Sequence, residues 1–123
     1  MARNTILIVE DDQVVRRAME AILSAAGHHV RTADTCFSGL ALALKELPAL
    51  LILDISLPDG TGWSLLESIH GARPHESFKV IIASSNPVTR GQLRKHMVDR
   101  FIAKPFDMAH LTELVGQLFA PIP

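Results

Sequence analysis

Residues 50–60 read Leu50-Leu51-Ile52-Leu53-Asp54-Ile55-Ser56-Leu57-Pro58-Asp59-Gly60. The apolar run is too short for a helix and suits a strand buried on both faces. Pro-Asp-Gly behind it marks a turn. Asp54 therefore stands at the C-terminal end of a buried strand, the place where open α/β sheets bind ligands. Two further segments end alike. Ile6-Leu7-Ile8-Val9 runs into Glu10-Asp11-Asp12, and Phe101-Ile102-Ala103 runs into Lys104-Pro105. If these strands are parallel neighbours, acids and a lysine meet at one edge of one sheet.

Outward from this stretch, strand and helix patterns alternate. Strands are expected at Thr5–Val9, His29–Ala33, Leu50–Asp54, Val80–Ser84 and Phe101–Ala103. Helices are expected at 14–26, with Gly27 in the stop position, at 37–47, halted by Pro48, and at 63–70, 89–98 and 108–119. Five strands alternating with five helices imply a parallel sheet covered on both faces. The 123 residues are the size of one domain, and 48% hydrophobic with 20% charged residues suits a globular chain. A net charge of −1 gives no support for direct nucleic-acid binding. No apolar stretch reaches membrane-spanning length, and the N-terminus lacks a signal-peptide pattern. The single cysteine, Cys36, excludes an internal disulfide and suits a reducing, cytoplasmic compartment.

The ordered motifs resemble the receiver domain of bacterial two-component response regulators. They are Glu10-Asp11-Asp12, Asp54 with Pro58 four residues on, Ser84, Phe101 and Lys104-Pro105. The resemblance covers residues 4–119 and leaves 120–123 as a tail or the start of a linker. It implies a flavodoxin-like, doubly wound sheet in strand order 2-1-3-4-5. It makes Asp54 the phosphorylation site, with Glu10, Asp11, Asp54 and the backbone carbonyl of Ser56 as oxygen ligands for Mg²⁺ or Mn²⁺. Lys104 becomes the cation for a phosphoryl oxygen, Ser84 the hydroxyl that binds another, and Phe101 the ring that turns inward behind it. Ser56 and Asn86 flank the water that ends the signal. The implied partners are a histidine kinase or histidine phosphotransfer protein and an unknown output protein or domain; a phosphorylation-dependent dimer stays open. Such a domain is not an enzyme acting on a separate substrate, although it catalyses its own phosphorylation and dephosphorylation.

Plainer readings stand beside these. Asp12 is expected to cap the first helix. Ser85 adjoins Ser84 and competes with it until the register is known; the interval of thirty residues from Asp54 favours Ser84. Phe101, Trp63 and Cys36 suit core packing, and His28-His29 suits a loop. No glycine-rich phosphate loop occurs. Met97-Val98 stands where receivers commonly carry Gly-Ala, so an altered end to the fourth helix is expected. A degenerate receiver, acting as an unphosphorylated protein-interaction module, is the alternative. A phosphate-releasing enzyme working through an aspartyl intermediate would want an acid where Ser56 stands.

Overall fold

The computed structural model describes residues 5–120. The expected domain limit at residue 4 and most of the expected tail lie outside them. In chain order, β1 is Thr5–Val9, α1 Gln13–Ala25, β2 His29–Ala33, α2 Cys36–Lys45 and β3 Leu50–Leu53. A two-residue hairpin follows, β4 Ser56–Leu57 against β5 Gly60–Thr61. Then come α3 Gly62–Ala72, β6 Lys79–Ser84, α4 Arg90–Lys95, β7 Arg100–Ala103 and α5 Met108–Phe119. Five strands form one parallel sheet, ordered β2-β1-β3-β6-β7. Counting only these strands, the order is 2-1-3-4-5. No helix among the described residues is long and apolar enough to cross a membrane.

The strand pleat divides the core in two. Leu7, Val9, Leu51, Leu53, Val80 and Ile82 point towards α2 and α3, where they meet Ala43, Leu65, Leu66 and Ile69. Ile6, Ile8, Leu50, Ile52, Ile81 and Ala83 point the other way, onto Met19 and Leu23 of α1 and Leu111 and Val115 of α5. β3 is fully enclosed, so truncating one of its leucines to alanine costs about 2–5 kcal/mol. The central strands are thereby rigid, and whatever follows their C-terminal ends is rigidly placed.

Element ends depart from the sequence reading by known local chemistry. Asp12 caps α1 as expected, its Oδ1 accepting the N–H groups of Val14 (2.9 Å) and Val15 (3.2 Å). Helix α2 stops two residues before the expected 47, because Glu46 is already extended ahead of Pro48. Helix α3 is longer than expected at both ends, and the hairpin before it was not legible. Helix α4 is much shorter than the expected 89–98. Thr89 and Gln92 form a capping box at its start.

The end of α4 corrects a second expectation. Met97 adopts φ +57°, its N–H donates to the Arg94 carbonyl (3.2 Å), and Val98 N–H donates to the Leu93 carbonyl (2.8 Å). This is the same paired closure that Gly27 makes after α1, at φ +97°. The left-handed cap is kept, with a methionine doing what glycine does at lower cost. Of the two adjacent histidines, His28 lies in a loop and packs against Phe119 with the rings tilted by 31° at 5.3 Å, while His29 opens β2.

Candidate functional site

β1 and β3 lie side by side in the sheet, while β2 and β6 flank them on opposite sides. Strand order reverses between these two central strands, and the crevice at their C-terminal ends is the switch point of the fold. Glu10 and Asp11 leave β1 there, Asp54 leaves β3, and Lys104 arrives from β7. Glu10 N–H donates to the Ala33 carbonyl (3.0 Å) and Asp54 N–H to the Val9 carbonyl (3.1 Å), so both acids start from pinned backbone.

One oxygen each from Glu10, Asp11 and Asp54 can lie within 4.8 Å of the others. Glu10 is 1% exposed, Asp54 8%, and Asp11 is open to solvent. Asp54 Oδ1 accepts the N–H groups of Ile55 (2.7 Å) and Ser56 (3.4 Å). Its Oδ2 accepts Lys104 Nζ at 2.8 Å. The same ammonium pairs with Glu10 Oε1 at 2.5 Å, and Glu10 Oε2 accepts Asp12 N–H at 3.1 Å. Burial pushes the Glu10 carboxyl above its ordinary value, against the opposing pull of Lys104 and the Asp12 N–H. Burial also pulls the Lys104 ammonium down, but the Asp54 and Glu10 carboxylates outweigh it and hold Lys104 above its ordinary value. With all four groups ionised, three carboxylates against one ammonium leave the cluster negative. Hard oxygen donors with an unbalanced negative charge fit a small divalent cation such as Mg²⁺.

Two residues outside the expected set hold the Asp54 segment. Gly62 N–H donates to the Ile55 carbonyl at 2.7 Å. A Cβ on Gly62 would lie 2.4 Å from the Asp54 carbonyl oxygen, so only glycine fits. Asp59 reaches across to α2, its carboxylate accepting the N–H groups of Cys36 (2.7 Å) and Phe37 (3.0 Å). Those helix-end donors hold the Asp59 carboxyl below its ordinary value. In sequence, Pro-Asp-Gly read only as a turn; a contact 23 residues away left no local signal.

The two serines at the end of β6 separate. Ser84 is buried, and its Oγ accepts Asn86 N–H at 3.1 Å. Ser85 is exposed and lines a cleft of about 510 Å³ together with Glu10, Asp11 and Lys104. The interval to Asp54 favours Ser84; the wall of the cleft carries Ser85. Phe101 is half-buried against the α2/α3 side of the core. Ser56 and Asn86 are exposed. Trp63 stacks on the buried ring of His96 at 4.7 Å, which joins the start of α3 to the end of α4.

The family model for the response regulator receiver domain matches residues 6–116. This chain belongs to that family. It is a receiver domain of two-component signalling. It is 34% identical over 108 residues to the KDP operon transcriptional regulatory protein KdpE of Escherichia coli, covering 86% of this chain and 47% of that protein. It is 31% identical over 116 residues to the response regulator protein PilR of Pseudomonas aeruginosa, covering 94% of this chain and 26% of that protein. The receiver domain thus spans half or less of the length of these relatives. Among solved structures, a CheY-like receiver domain protein from Methanospirillum hungatei superposes with TM-score 0.86 at 30% identity, covering 97% of this chain and 94% of the other. Chemotaxis protein CheY4 of Vibrio cholerae also gives 0.86, at 20% identity over 95% and 99% of the two chains, and supports the fold alone.

Proposed function

We propose that this receiver domain, over residues 4–119, accepts a phosphoryl group on Asp54 from a histidine kinase or histidine phosphotransfer protein. The observation that carries this reading is the convergence of Asp54, Glu10 and Asp11 at one sheet edge, with Lys104 on the Asp54 carboxylate. Asp54 Oδ1 is committed to backbone N–H groups, which leaves Oδ2 to attack phosphorus. The new O–P bond forms as the N–P bond of the donor phosphohistidine breaks, and the imidazole nitrogen keeps the electron pair. Lys104 then exchanges a carboxylate oxygen for a phosphoryl oxygen, acting as a point charge. Positioning and charge compensation are what phosphoryl transfer chiefly requires.

Glu10, Asp11 and Asp54 are the residues that would hold Mg²⁺ or Mn²⁺, with the Ser56 carbonyl added by family resemblance. The cation supplies charge compensation for the incoming phosphoryl oxygens. Ser84 then donates a hydrogen bond to the phosphoryl group, and Phe101 follows it inward. That movement alters the α4–β7–α5 face, which an output protein or domain reads. Ser56 and Asn86 flank the attacking water and set the lifetime of the acyl phosphate.

Incubation with acetyl phosphate and Mg²⁺ is expected to add one phosphoryl group, acid-stable and base-labile. Asp54→Asn should abolish it. Undiminished labelling of the variant overturns the assignment, and no labelling of the parent protein favours an unphosphorylated interaction module.

A further inference from the structure

Arg16 stands one turn into α1, and among the described residues it forms no ion pair with a carboxylate. Its Nη1 instead donates to the backbone carbonyl of Glu10 at 2.9 Å and, more weakly, to that of Asp11 at 3.4 Å. We propose that Arg16 is a positioning residue for the cation site, clamping these two carbonyls so that the Glu10 and Asp11 carboxylates aim at a common point. The inference rests on the reading above, in which those carboxylates hold a divalent cation.

Peptide groups are planar, so a held carbonyl fixes its whole plane. The Glu10 carbonyl orients the plane between residues 10 and 11, and the Asp11 carbonyl orients the next. With both planes held, the φ and ψ of Asp11 are set, and so is its Cα–Cβ direction. Asp11 depends on this more than its neighbours. The Glu10 carboxylate is held by Asp12 N–H and Lys104, and that of Asp54 by two N–H groups and Lys104. The Asp11 carboxylate is exposed and accepts no hydrogen bond among the described residues, so its aim comes from its backbone. A guanidinium suits the task, since one planar donor group serves both oxygens, whereas an ammonium is a point donor.

The charge of Arg16 works against the role just given to it, and this makes the test sharp. A cation on the rim of the site repels a metal ion. If Arg16 acts only through charge, removing it tightens metal binding. If it acts by aiming the acids, removing it weakens binding. Mn²⁺ is titrated calorimetrically into chelator-treated protein for the parent, Arg16→Lys and Arg16→Met, and unfolding midpoints are taken in chelator. Outer residues that orient metal ligands are worth roughly ten- to a hundredfold in affinity. Both variants are expected to bind about tenfold more weakly, Arg16→Lys despite keeping its charge. Arg16→Met binding as tightly as the parent, or more tightly, overturns the proposal, and so does parent-like binding by Arg16→Lys. If Arg16→Met does not fold, the lysine variant decides alone. If Asp11→Asn binds Mn²⁺ like the parent, it is the cation-site reading itself that fails.

Discussion

Replacing Gly62 with alanine tests how tightly the backbone grips the phospho-acceptor. The added Cβ would sit 2.4 Å from the Asp54 carbonyl oxygen, 3.2 Å from the carbon it belongs to and 3.1 Å from Leu53 Cγ. An ordinary carbon–oxygen contact is about 3.3 Å, so the two must part by roughly 0.9 Å. Neither side yields readily. Gly62 is tied to Ile55 by a 2.7 Å hydrogen bond, and Asp54 to Val9 by one of 3.1 Å. Overpacking of this kind costs about 1–3 kcal/mol, and for a domain of this size about 4 °C of unfolding midpoint goes with each kcal/mol. A displacement near 1 Å of the reacting carboxylate slows phosphorylation by up to about a hundredfold. Gly116, in α5, is the control, since a Cβ there meets nothing within 4 Å. Gly116→Ala should stabilise by about 0.5–1 kcal/mol and leave labelling unchanged. Thermal unfolding and acetyl-phosphate labelling of the two variants give the answer. A Gly62→Ala protein with the parent midpoint and the parent labelling rate refutes the reasoning.

Lys104→Ala leaves the Glu10 and Asp54 carboxylates facing each other without a cation, which should cost about 3 kcal/mol in chelator. Millimolar Mg²⁺ should restore much of it, and an unchanged urea midpoint in chelator would count against the ion pair. Ser56→Asn should speed loss of phosphate from the purified phosphoprotein, by placing an amide beside the attacking water. Equal rates would show that this position does not set the lifetime. His96 carries a pH dependence. Burial, opposed by Glu67 and reinforced by Lys95 and His70, holds its imidazole below the ordinary value. The unfolded chain then binds the proton more readily, so stability is complete above about pH 7 and declines as pH falls through about 6.5. The slope for one such group is at most about 1.4 kcal/mol per pH unit. His28 shifts in the same direction through burial, so His96→Gln should reduce the slope without removing it. Identical urea midpoints at pH 5.5, relative to pH 7.5, in parent and variant would contradict this.

The strands were legible because β1, β3 and β6 are enclosed in the core and read as apolar runs, whereas their order rested on the family resemblance. Asp54, Glu10 and Asp11 were legible because they stand just past such runs, and Lys104 because it follows the shorter, partly exposed β7. What escaped was set by contacts distant in the chain. Nothing beside Gly62 announces that a carbonyl eight residues earlier will crowd it. Asp59 looks like any turn aspartate until α2 is seen to begin on it. The choice between Ser84 and Ser85 needed the pleat, which the interval from Asp54 could not supply. At Met97, the departure from the family's usual Gly-Ala pointed to a changed helix end. The backbone instead kept its shape there and left the strain on the side-chain-bearing residue.

That strain bears on how this receiver divides its time between conformers. Met97 closes α4 from a backbone region that disfavours L-residues by about 1–2 kcal/mol. Any rearrangement that lets residue 97 return to an ordinary conformation recovers that amount, whereas a glycine there would recover almost nothing. A difference of 1 kcal/mol multiplies the share of such a minor conformer about fivefold. The helix end on the face proposed above as the output surface is thus held less deeply in this conformation than a glycine-capped one. A partner preferring the rearranged form would find more of it already present, and would spend correspondingly less of its own affinity on selecting it.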